Sequence, residues 1–131
     1  MRITFLTFIL CGAFFFISCK KEVSKKSTHT GTLLKNSLGE CMPINVAGTY
    51  TAGVKLIASN YMEVTVTYDR GGAYRVSTDT VNDFYFRGQG VVDSGTSVIK
   101  LKGYGTPSLN ETDIFTVTVD ASSCEADVSV H

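Results

Sequence analysis

Hydrophobic positions along this chain follow two regimes. From Ile3 to Ile17 they are nearly continuous (ITFLTFILCGAFFFI), a block of 15 residues without a charge. From about Cys41 onward they alternate with polar positions, the period of a strand that buries one face. Tyr61 to Tyr68 sets Met62, Val64, Val66 and Tyr68 on one side and Glu63, Thr65 and Thr67 on the other. Asp69-Arg70-Gly71-Gly72 then reads as a hairpin turn, because Gly accepts the positive φ that such turns require. Ala73 to Thr78 returns with Tyr74 and Val76 inward. After a turn over Asp79 to Asp83, Phe84 and Phe86 point one way and Tyr85 and Arg87 the other. Ile99 and Leu101 face inward while Lys100 and Lys102 project to water. Phe115, Val117 and Val119 form the next inward set, and Cys124, Ala126, Val128 and Val130 the last. Shorter pieces near Cys41 to Val46 and Val54 to Ile57 bring the expectation to seven or eight short strands. No segment after the apolar block has helical spacing. The fold class expected is all-β: an antiparallel β-sandwich, with a small β-barrel as second choice.

The apolar block has the anatomy of a secretory signal peptide, with Arg2 as a short positive start and Ser18 as the small residue before Cys19. At 15 residues it is shorter than the roughly 20 that a spanning helix wants. An uncleaved N-terminal anchor is the alternative, since Lys20, Lys21, Lys25 and Lys26 follow at once. Phe16-Ile17-Ser18-Cys19 resembles a bacterial lipobox, with Phe16 where an aliphatic residue is usual. The resemblance implies lipidation at Cys19 after removal of residues 1–18. Leu10 before Cys11 is too bulky for the same role. Several acyl chains, each contributing about 0.8 kcal/mol per buried CH₂, anchor a protein stably. The membrane is therefore the first partner expected. Residues 19–36 are rich in Lys, Ser and Thr and read as a flexible tether of about 25 Å span. The Leu33-Leu34 pair at its end is a candidate for docking on the domain, which is placed at residues 37–131.

Composition narrows the functional classes. The 131 residues carry 12 basic and 12 acidic side chains. From Ser37 onward six basic residues face eleven acidic ones, a net of −5. That balance argues against nucleic acid, which calls for clustered Lys and Arg to replace phosphate counterions. Cys41 and Cys124 open the first and last strands, and export to an oxidising compartment makes a disulfide between them the natural reading. Closing that loop stabilises by about 4 kcal/mol in the chain-entropy model. Two Cys with no His nearby in sequence leave a zinc site short of ligands, so no metal is expected there.

Chemistry is sparse. Nucleophilic hydrolysis needs a base beside its Ser, Thr or Cys. The only His are His29, in the tether, and His131, the last residue, and neither position reads as rigidly held. Asp69, Asp79, Asp83 and Asp93 lie near turns where two carboxylates would meet in a glycosidase, though acidic turns are ordinary turn chemistry. The Asp79/Asp83 turn offers oxygens to calcium without the pattern of a calcium loop. Tyr61, Tyr74, Tyr85 and Tyr104 suit either a platform for sugar rings or plain cross-strand packing. No catalytic residue and no cofactor is expected.

Laid out as CMPINVAGTY (41–50), SNYMEVTVTY (59–68), GAYRVSTDTVN (72–82) and YGTP (104–107), closing with FTVTV and a strand-leading Cys, the chain resembles an immunoglobulin-like module of Bacteroidota cell-envelope lipoproteins. Asp83 stands where Gly usually follows Val-Asn, and Val92 where an aromatic is more usual. The resemblance implies a tethered extracytoplasmic β-sandwich, lipid-anchored to the outer membrane on its periplasmic or outer face, with no catalytic residues to carry over. Asp79-Thr80-Val81 likewise resembles the three-residue O-glycosylation signal of exported Bacteroidota proteins, which marks Thr80. The function expected is a non-catalytic binding or adhesion module for a glycan or protein ligand. The alternatives are an envelope structural or hydrolase-inhibitor lipoprotein and, third, a carboxylate-based hydrolase.

Overall fold

A computed structural model describes residues 29–131; the lipobox Cys19, the signal segment 1–18 and most of the tether lie outside them. Eight antiparallel strands follow in order: β1 (Gly31–Leu33), β2 (Asn45–Ala47), β3 (Tyr61–Tyr68), β4 (Gly72–Thr78), β5 (Phe84–Val92), β6 (Gly95–Gly105), β7 (Thr112–Val119) and β8 (Ser122–Ser129). The all-β expectation and the strand number hold. All eight belong to one sheet ordered β1-β3-β6-β5-β4-β7-β8, with β2 also on β3. β5 is the corner of this sheet, because Phe84 to Arg87 pair with β6 while Arg87 to Val92 pair with β4. Folded at that corner, the sheet gives two layers, β1/β2-β3-β6-β5 and β4-β7-β8. With β1 and β2 sharing the first position, this is the strand order of a seven-stranded immunoglobulin sandwich.

The two free edges, β1/β2 and β8, meet along a seam and nearly close the sheet into a barrel. Side chains at the far turn take up β1 backbone donors: Gly31 N–H donates to Asp120 Oδ2 at 2.7 Å and Leu33 N–H to Ser122 Oγ at 3.1 Å. Asp120 holds a positive φ of 49° in the two-residue β7–β8 turn, a conformation Asp tolerates better than most side chains. Farther along, Tyr50 and Val130 form a parallel bridge, and the Cys41–Cys124 disulfide spans the same seam with its Cα atoms 5.9 Å apart. Covered edges of this kind leave little exposed strand edge on which another chain could template.

Inside lies an aromatic cluster. Phe84 and Phe86 on β5 meet Phe115 on β7 edge to face, at 4.8 and 5.2 Å between ring centroids. Tyr50 packs beside both β5 rings at 6.0 Å. Its hydroxyl donates to Ala47 O at 2.8 Å, and burial pushes its pKa up to about 12 despite an opposing contribution from Asn60. Met62, Val64, Val66, Ile99, Leu101, Val117, Val119 and Val128 complete the core from the inward positions that alternation assigns. Each such side chain contributes about 1.5–3 kcal/mol when fully buried.

Two boundaries differ from expectation. The tether does not run to Asn36: Gly31–Leu33 is a strand, paired Gly31 to Tyr68 and Leu33 to Val66, with Leu33 buried and Leu34 at the surface. Gly31 is required there, since a Cβ would stand 2.5 Å from the Tyr68 ring and 2.6 Å from Val119. Val54 to Ile57, expected as a strand, is a loop. Only Leu56 turns inward, and its N–H donates to Gly105 O at the end of β6 without a ladder forming. Buried Asn60 clasps the loop, donating to Thr49 O and accepting from Ile57 N–H.

Candidate functional site

The outward positions of β3, β5 and β6 converge on one face. β5 is the starting point: Phe84 and Phe86 are buried, so alternation turns Tyr85 and Arg87 outward. Register then sets Tyr85 opposite Tyr104 and Arg87 opposite Lys102 on β6, and Lys102 opposite Tyr61 on β3. Lys100, two positions along β6, stands opposite Glu63. The Tyr85 and Tyr104 rings stack at 5.4 Å and 19°. Arg87 Cζ and Lys102 Nζ each lie 5.4 Å from the Tyr104 centroid, and Lys100 Nζ lies 4.0 Å over Tyr61. The three Tyr are half-buried and the three cations exposed.

Electrostatically the face is unusual for this chain. It gathers three of the six cations that follow Ser37. Lys100 reaches over Tyr61 although Glu63 is its cross-strand neighbour. The cations rest on ring faces, an attraction worth about 0.5–1 kcal/mol at exposed sites.

Three of the four expected Tyr thus share one face, two of them stacked; Tyr74 does not. It lies on β4 beside Tyr68, at 6.4 Å, near the start of the domain. There His29, expected in a loose tether, is held: its ring stacks on Tyr68 at 5.0 Å and its Nε2 hydrogen-bonds Ala73 O. Among the described residues its Nδ1 and the buried Tyr68 hydroxyl find no hydrogen-bond partner. Burial, then the negative charge of Asp120 and the neighbouring Tyr74, raise the Tyr68 pKa. His131 is also held, donating its N–H to Tyr50 O and accepting from Ala52 N–H at its carbonyl.

Three of the turn carboxylates tie their turns to neighbouring segments. Asp69 Oδ1 accepts Thr30 N–H at 2.6 Å and Asp79 Oδ1 accepts Thr116 N–H at 2.9 Å. Asp83 accepts the Ser108 hydroxyl and holds a φ of 65°, the left-handed conformation that favours Gly. Asn82 beside it binds Leu109 O and Asp113 Oδ2 through Nδ2 and takes Ser108 and Leu109 N–H on Oδ1. Glu111 shares a hydrogen bond with Asp113, which raises the Glu111 pKa, helped by burial and the Asp113 charge. Among the described residues no three His, Cys, Asp or Glu come together as metal ligands. Thr80 is exposed in the β4–β5 connection.

Sequence reasoning named the Tyr and the outward Lys but not their union with Arg87. The signal was present in the alternation of β5 and β6; which strands adjoin was not. Comparison of the chain with protein-family models, curated proteins and solved structures finds no match.

Proposed function

We propose that this chain is a membrane-anchored extracytoplasmic lipoprotein whose domain is a non-catalytic binding module, held to the outer membrane through lipid at Cys19. The observation that carries this reading is the outward face of Tyr61, Tyr85 and Tyr104 with Arg87, Lys100 and Lys102. Rigid aromatic rings with one polar end and exposed Arg beside them are the side chains that recognition surfaces favour. The disulfide across the seam fits an oxidising compartment. The engagement of Asp69, Asp79 and Asp83 as hydrogen-bond acceptors within the fold supports a structural use of these carboxylates.

The test takes the full-length protein from membranes. Intact mass is expected to give a chain starting at residue 19 with acyl mass added. Immobilised protein is expected to retain a glycan or protein ligand and to lose it when Tyr85 and Arg87 are both changed to Ala. Turnover of a polysaccharide, peptide or ester substrate, abolished by Asp→Asn at position 69, 79, 83 or 93, would overturn the reading in favour of a hydrolase. We further propose Thr80 as an O-glycosylation acceptor, supported by its exposure; a Thr80→Ala variant that migrates like the parent removes it.

A further inference from the structure

We infer that the Tyr61–Tyr85–Tyr104 face takes an extended polysaccharide whose sugars carry carboxylates, an inference that rests on the binding-module reading above. Three features point to that chemistry. Arg87 and Lys102 are cross-strand neighbours and Lys100 follows roughly 7 Å along β6, so anionic groups spaced along a polymer meet successive cations. The guanidinium of Arg87 offers the planar fork that matches a carboxylate, and the two ammonium groups supply point charges beside it. Beside them the half-buried Tyr61 and the Tyr85–Tyr104 stack offer ring edges to sugar C–H groups and phenol oxygens to hydroxyls.

The same geometry disfavours other acidic polymers. A peptide adding as a strand needs an open sheet edge, and β6 is paired on both sides, by β3 and β5. A nucleic acid, with its denser phosphates, calls for more clustered cations than the three on this face. An anionic lipid surface is best held where apolar side chains insert beside the cations. The most exposed apolar residues, Leu38 and Val91, lie elsewhere, and Val98 on β6 is the single large exposed apolar side chain on β3, β6 or the Tyr85–Arg87 segment, too little to insert.

Charge and sugar contributions separate in one experiment. Full-length protein in detergent is titrated with polygalacturonate, neutral dextran and poly-L-glutamate, with binding followed by affinity electrophoresis and light scattering. Polygalacturonate is expected to bind, and poly-L-glutamate at least tenfold more weakly. Arg87→Gln with Lys102→Gln is expected to weaken polygalacturonate at least tenfold, and Tyr104→Ala several-fold, while Lys55→Gln changes nothing. Gln keeps most of each side-chain stem, and unchanged thermal unfolding of each variant shows that the fold survives. Absence of polygalacturonate binding, equal affinity for poly-L-glutamate, or indifference to Tyr104→Ala overturns the inference. Binding of neutral dextran lost on Tyr104→Ala overturns the acidic class and leaves the binding module standing. Cleavage of the polysaccharide overturns the module itself.

Discussion

The two sides of β5 carry the same kind of side chain to opposite ends. Inward, Phe84 and Phe86 close on Phe115 at 4.8 and 5.2 Å with no polar atom among them. Outward, Tyr85 stacks on Tyr104 at 5.4 Å with Arg87 beside it, facing water. One step along the strand separates a ring that holds the fold together from a ring that the fold displays. The phenolic oxygen decides which is which: buried without a partner it costs about 1–3 kcal/mol, and at the surface it is satisfied by solvent. Tyr50 and Tyr68 are the exceptions inside. Tyr50 finds Ala47 O, and Tyr68, next to His29, leaves its hydroxyl unpaired among the described residues.

The sharpest way to break this contrast is truncation on each side. Phe115→Ala should cost about 3–5 kcal/mol, read as a lower urea midpoint at unchanged slope. Replacing Cys41 and Cys124 together by Ser removes the seam staple and should cost about 4 kcal/mol in the same measurement, less to the extent that the β1 and Tyr50 contacts hold the edges. On the outer side, Tyr85→Ala should cost under about 1 kcal/mol, consistent with an exposed stack. A loss there equal to that of Phe115→Ala would make the outer rings structural, and the display argument would fail.

Titration sharpens the comparison further. The neutral form of Tyr50 is favoured by folding, so its contribution is fully present below pH 10 and is lost as pH rises through about 12. Absorbance titration should find a late-ionising tyrosine that disappears in Tyr50→Phe. The smallest effect belongs to Glu111. Its raised pKa means that the protonated form is favoured in the folded state. Its contribution is present below the ordinary glutamate value of 4.5 and lost as pH rises above it. Glu111→Gln should flatten that part of the stability profile, checked by melting temperature against pH.

Legibility followed the strength of alternation. In β3, β6, β7 and β8 several apolar residues repeat at period two, and the buried positions fall where the pattern sets them. β1 holds three residues with one large apolar side chain, Leu33, too few to show a period. Its N–H groups are taken by Asp120 and Ser122, 89 residues away. Val54 to Ile57 misled for the opposite reason: three apolar residues in four gave a strand-like stretch, yet Asn60 and Gly105 hold it as a loop.

What the sequence determined alone was each strand's inner and outer face, because a side chain's side of the sheet depends only on its parity and on which parity is apolar. The all-β class follows from that, as does the outward placement of Tyr85, Arg87, Lys100 and Lys102. Which strands lie side by side was decided by the tertiary structure. Bringing Tyr61, Tyr85 and Tyr104 onto one face, and Tyr74 onto another, needed the β3-β6-β5 order and the turn of β5 from one layer to the other at Arg87. No local property of those residues encodes that order, since it depends on how the whole chain buries its two-faced strands at once.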